Sequence, residues 1–380
     1  MDVHKYIDQK KDFYEFLIEY LENEIEEDSS FDFLIKKIEI VLNLNKVNEL
    51  ELLLHLISII SQNHHRTEKF DRRIQKLLSY LSEEINNSFS NLQVFELFKN
   101  NKWILLFLYQ KQILNFDDSI LEFIKNDSDL CYFFYPEIKC YLDDEDRKKR
   151  EKELISQKEN IFDNFEKFRQ VGQNDLYICS IIRYDLIEEF ASYMIRSNYS
   201  LNGKIKKSIF ETNSFLINKE PTLIEYAAFF GSIQIYQYLR LNNAEINGTL
   251  WMYAIHSNCA EMIHLLESDG INPTKESNQK DAKKGGNKYM KCFAEAIKCH
   301  HNNIANYIEN NFLTDLLQKK VTRLGIRYYN YSYFDEIILQ DMNYFLDLCQ
   351  YGYETVANFL IEMKKEEIEI NTEIIFLYFI

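Results

Sequence analysis

Proline and glycine are scarce, 3 and 9 among 380 residues. That is too few to reverse the chain as often as a sandwich or barrel demands, and it leaves helices as the material of the fold. Positive charge is short as well: 44 Lys and Arg face 60 Asp and Glu, a formal net charge of −16. Such a chain repels a phosphate backbone, so no nucleic acid is expected as a partner and a protein is. The seven cysteines (Cys131, Cys140, Cys179, Cys259, Cys292, Cys299 and Cys349) are odd in number and contain no CxxC pair. They read as reduced, buried thiols of a cytoplasmic protein, with the nucleus as the other compartment the composition allows. No window approaches the roughly 18 apolar residues of a membrane span, and the opening MDVHKYIDQKK has no apolar core of the signal-peptide kind. No membrane partner is expected. GxSxG, a Gly-rich phosphate loop, HExxH and the EF-hand pattern are all missing, which argues against an enzyme.

What is present is helical periodicity. Phe13, Phe16, Leu17, Tyr20 and Leu21 share one stripe, residues 47–60 are apolar nearly all round, and residues 74–85 predict another amphipathic helix. Residues 63–67 (NHHRT) read as a polar connector. The charged run at 143–153 reads as a solvated helix or linker and marks the best boundary between an N-terminal helical region (1–150) and the rest (151–380). Residues 208–216 predict a short inserted helix, and 275–289 a mobile Lys-rich loop.

Residues 221–271 repeat themselves. With Ala227 set over Ala254, Thr222 falls on Thr249, Leu223 on Leu250, Tyr226 on Tyr253, Ile235 on Met262 and Leu239 on Leu266. An internal repeat decides architecture before any single residue does. Fainter copies begin near Leu92 with Asn101 at the turn, near Asn174 with Arg183 at the turn, and again at 291–311 and 344–362. The unit TLIEYAAFFGSIQIYQYL followed by NAEIN resembles the ankyrin repeat through Thr222, Ile224, Ala227, Ala228, Gly231, Ile235, Leu239 and the closing 243–247. The longer stretch from Ser208, with ISIISQNHHR and FKNNKWILLFL upstream, is similar to the divergent ankyrin-type domains of unknown function expanded in some parasitic protists.

The resemblance implies an all-α, curved solenoid of antiparallel helix pairs. Leu223 and Leu250 stand where the family starts its helix with Pro, Asn258 and His300 replace the turn Gly, and the unit is shorter than the family's roughly 33 residues. Helix pairs mostly lacking β-hairpin fingers are therefore expected, following an N-terminal half that becomes ankyrin-like toward its end. The implied role is a non-catalytic interaction scaffold whose concave face holds a protein partner. On that face the first helices would present Tyr226, Phe229 and Phe230, then Tyr253, His256 and Ser257, then Glu295, Lys298 and Cys299, the aromatics being good anchors. Packing of these residues against the segment around Phe210 is the competing reading. The alternative role is self-assembly, because INTEIIFLYFI begins another unit and stops on bare apolar residues where a cap should be polar.

Two histidine pairs invite a metal. His64 and His65 lack a Cys or carboxylate at ligand spacing and read as a helix-terminating polar turn. In the set Cys292, Cys299, His300 and His301, the two cysteines occupy repeat positions and His300 the turn, so burial is preferred for that second set; no metal or other cofactor is expected. His256, Cys259 and His264 offer a thiol and a base, but they fall on different helices of the unit, away from mutual reach.

Overall fold

The computed structural model describes residues 3–22, 28–44, 46–158, 160–273, 288–313, 318–334, 338 and 341–363. Residues 275–287 of the Lys-rich loop and the apolar C-terminal residues, on which the self-assembly expectation rests, lie outside them. The described residues are helical, with no strand among them and one isolated bridge between Lys204 and Thr222.

The N-terminal half contains α1 (Val3–Glu22), α2 (Asp28–Val41), α3 (Val47–Asn63), α4 (Glu68–Tyr80), α5 (Ser82–Ser88), α6 (Asn91–Phe98), α7 (Lys102–Gln110), α8 (Asp118–Asn126), α9 (Ser128–Phe133) and α10 (Tyr135–Ile138). Side-chain caps start many of them: Thr67 accepts from the Phe70 N–H, Asp117 from Ile120, and Ser90 closes a capping box with Gln93. The helix expected over 74–85 is two helices, α4 and α5, meeting at Leu81. The charged run lies in α11 (Asp144–Gln157), of which only Leu154 is buried, and α12 (Phe165–Val171) follows.

Paired helices come next: α13 (Tyr177–Arg183) with α14 (Ile187–Ser197), α15 (Leu223–Phe230) with α16 (Ile233–Leu241), α17 (Leu250–His256) with α18 (Ala260–Ser268), and α19 (Met290–Lys298) with α20 (Asn302–Phe312). Then come α21 (Gln318–Arg327), a 3-10 turn at Tyr331–Tyr333, and the pair α22 (Phe345–Gln350) and α23 (Glu354–Met363). The first helices α13, α15, α17, α19 and α21 pack each on the next. Between the helices of successive units one residue takes left-handed backbone: Asp185 (φ 50°), Gly231 (68°), Asn258 (50°), His300 (57°), Tyr329 (56°) and Gly352 (76°). The expected turn residue Arg183 sits two positions early, and Asn101 is not left-handed but caps α7 at φ −126°.

After most of these turns the following N–H bonds five residues back, as in Leu186 to Ile181, Ser232 to Ala227, His301 to Ala296, Asn330 to Gly325 and Tyr353 to Leu348. This closes the Schellman motif and satisfies carbonyls at the helix end. The same residue then sends its side chain to the preceding unit. Ser232 Oγ donates to the Ile182 carbonyl (2.5 Å), His301 Nδ1 to Ile255 (2.8 Å), Asn330 Nδ2 to Ile297 (3.0 Å) and the Tyr353 hydroxyl to Ile326 (3.0 Å). Each acceptor lies three residues before its unit's left-handed residue, so these bonds form a ladder from unit to unit. The position between Ser232 and His301 in this series holds Cys259, a weak donor.

Residues 208–217 are not the short helix expected. The Glu211 carboxylate accepts the N–H groups of Thr212, Asn213 and Asn174, and Asn213 Oδ1 accepts that of Phe215, so side chains take the donors a helix would use.

The described residues form three buried clusters. One holds the paired helices from Ile178 to Val321 with Tyr333. A second joins α1–α10 to Ile326, Tyr329, Tyr331, Phe345, Leu348, Tyr353, Val356 and Leu360, so both ends of the described chain share it. A small third cluster, Tyr135, Leu154, Ile161, Phe165 and Phe210, draws on both sides of residue 150. Tyr14 meets Tyr331 edge to face at 5.0 Å, and Ser332 Oγ donates to Glu15 at 2.7 Å. Among the described residues no helix is long and apolar enough to cross a membrane.

Candidate functional site

Eleven residues of α3 are buried, and its C-terminal end is driven against the inner ends of the paired helices. The polar residues after it therefore meet the turns within those pairs. His64 Nε2 donates to the Cys299 carbonyl (2.7 Å), His256 Nδ1 lies 3.4 Å from the Asn63 carbonyl, and the His65 ring lies 5.0 and 4.8 Å from those of Phe229 and Phe230. Residues 208–217 add Phe215, stacked on Phe229 at 5.9 Å and edge-on to Tyr253 at 5.0 Å, and the Ser214 N–H bonds the Gln62 carbonyl.

This junction is where the nine residues assigned to the concave face lie, and contacts link most of them. Tyr226 contacts Phe230, Phe229 contacts His256, the His256 Nε2 lies 2.9 Å from Glu295 Oε1, Lys298 donates to Glu295 (2.9 Å), and Cys299 Sγ lies 3.5 Å from His256 Nδ1. Ser257 turns back to the Ala254 carbonyl. These residues are covered by the chain itself: Tyr226, Phe229, Tyr253, His256 and Cys299 are buried, and Phe230, Ser257, Glu295 and Lys298 are half-buried. The segment near Phe210 does part of the covering, through Phe215. The end of α3 does the rest, and nothing in the repeat pattern marked it.

Burial sets the protonation of these groups. It lowers the His65 imidazole to about 3 and His300 to about 4, and holds His256 and His301 below the ordinary histidine range, with neighbouring imidazoles adding to the effect at His65 and His301. They are neutral imidazoles at neutral pH. Burial raises the Glu295 carboxyl, but bonds from His256 and Lys298 outweigh it and bring the group to about 2. Cys299, His256 and Glu295 thus make a thiol, imidazole and carboxylate row, though burial pushes the thiol well above its usual value and keeps it protonated. The set considered from sequence is dispersed: Cys259 packs by Gly231, and His264 is exposed, with Nδ1 3.2 Å from Glu267.

The two histidine pairs, far apart in sequence, meet in space. The His64 and His301 rings are 4.9 Å apart, and Glu22, the last residue of α1, places Oε1 2.7 Å from His64 Nδ1. A cleft of about 720 Å³ opens beside them, lined also by His65, Thr67, Glu68 and His256. The signal that could have found this is the His-His dipeptide at two separate helix boundaries. No family profile, curated protein or solved structure matches the chain.

Proposed function

We propose that the protein is a non-catalytic scaffold, an ankyrin-like stack of helix pairs that binds another protein in the cytoplasm or nucleus. The recurring left-handed turn with its ladder of unit-to-unit bonds supports the stack reading, and the resemblance carries the binding role. Since these inner residues are covered by the chain's own α3 and 208–217, the reading puts the partner on the outer helices. There Ile195 and Leu241 occupy the ninth position of α14 and α16, two helices packed side by side, and are 80% and 77% exposed. Tyr184 and Leu186 are exposed at the start of the same pair. Exposed apolar side chains at equivalent places on adjacent helices are the observation that carries this surface. The net charge favours a partner with a basic rim, whose association weakens with salt.

The test is proximity labelling in the source cell with wild type and I195K/L241K, both kept at equal abundance. Loss of a shared set of partners from the double variant, at unchanged thermal stability, is expected. An identical partner set for both proteins contradicts the outer-face reading.

A further inference from the structure

We propose that Glu22, His64 and His301 form a binding site for a divalent transition metal of the zinc class, with three protein ligands and a fourth position open to the adjoining cleft.

The tautomers are already set. A backbone carbonyl can only accept, so His64 must donate Nε2–H to Cys299 and His301 must donate Nδ1–H to Ile255. That leaves His64 Nδ1 and His301 Nε2 as the ring nitrogens able to face a metal ion. Fixing a ligand imidazole through its other nitrogen is how metal-binding histidines are held. His301 owes this orientation to the ladder bond, which aims the ring away from its own unit. His64 Nδ1, on a side chain only 3% exposed, faces the Glu22 carboxylate at 2.7 Å, and a metal ion bound between them would take the place of the Nδ1 proton.

The three donor atoms lie within 4.8 Å of one another. Around a tetrahedral zinc ion with bonds near 2.0–2.1 Å they would draw to roughly 3.3 Å. Glu22 is the ligand free to move, since its side chain is 38% exposed. His64 follows the last residue of α3, so the partial negative charge of that helix C-terminus lies at the same point. Two nitrogens and one carboxylate oxygen suit zinc and its neighbours and not magnesium or calcium. The second group able to ligate, His256, Glu295 and Cys299, is a poorer site: the Lys298 ammonium already holds Glu295, and the thiol is kept protonated by burial.

The experiment uses the full chain stripped by chelator and titrated with Zn2+ against a chromophoric chelator, then with Co2+ for its visible spectrum. One equivalent bound, a rise in Tm, and the intense bands of four-coordinate Co2+ are expected. E22Q, placed at the exposed ligand so that folding survives, should weaken Zn2+ at least ten-fold, and H301Q should do the same. H264A, which removes an exposed histidine, should leave affinity unchanged and controls for adventitious surface binding. Absence of stoichiometric binding, binding that E22Q leaves intact in a protein of unchanged circular dichroism, or binding abolished by H264A or E295Q in place of E22Q overturns the proposal.

Discussion

At the scale of single residues, the charges that entered the interior show most clearly what the fold must compensate. Lys10 and Glu49 form an ion pair with side chains 1% and 6% exposed, and Tyr6 donates to the other Glu49 oxygen at 2.8 Å. Burial lowers the Lys10 ammonium, and Glu49 resists that effect. Removing one partner strands the other charge, so K10M should cost about 3–5 kcal/mol in denaturant unfolding. K10M/E49L, which removes both charges, should recover most of it, and a double variant no better than K10M would count against the pairing. Lys102 supplies a pH test. Its Nζ donates to the Ile209 carbonyl at 3.1 Å, and burial lowers it to about 8 despite Asp129, Glu211 and Asp127. Below pH 8 the ammonium is charged both folded and unfolded, and its burial opposes folding. Between pH 8 and 10 only the unfolded chain keeps the proton, so the folded state gains up to about 1.4 kcal/mol per pH unit. Buried thiols such as Cys179 and Cys292, both raised to about 12 by burial, act oppositely over that range. The diagnostic quantity is therefore the stability of wild type minus that of K102M. It should rise from pH 8 to 10, and a flat difference contradicts a buried, depressed lysine.

At the scale of elements, the ladder makes a prediction about each rung. S232A removes the bond to Ile182, whose carbonyl keeps only the Asp185 N–H at 3.0 Å, a loss of about 1 kcal/mol. C259S places a hydroxyl where the series lacks one, within reach of the preceding unit's turn at Gly231, and should stabilise by a few tenths to about 1 kcal/mol. Equal unfolding midpoints for wild type and both variants would show that the rungs contribute nothing. These elements differ in how far the sequence announced them. The capping box of Thr222 and Glu225 and the left-handed Gly231 are local, so the unit at 222–241 is legible residue by residue. Asn258 and His300 keep the same backbone without glycine, and there only alignment to a better copy locates the turn. Residues 208–217 have the spacing of a helix but carry Glu211 and Asn213, whose side chains compete for the backbone donors, and that competition is decided only by burial. The candidate site was least visible, because Glu22, His64 and His301 come from three distant places and meet only when α3 is seated.

At the scale of the whole molecule, the decisive feature is that the last paired helices do not continue an open row but join the core of the first ten helices. Leu50, Leu53 and Ile57 of α3 share one cluster with Tyr353, Val356 and Leu360. The inner residues of the paired helices are covered by the end of α3 and by residues 208–217 of the same chain, and the proposed partner surface is therefore on the outer helices. This closure is tested most directly at Glu15 and Ser332, 317 positions apart in sequence and joined by a hydrogen bond of 2.7 Å. E15C/S332C would be made in a background with the exposed Cys140 and Cys349 changed to serine, treated with a short bismaleimide and mapped by peptide mass spectrometry. A bridge between these two cysteines within single molecules is predicted, and cross-links found only between molecules, or none, would contradict the closed arrangement.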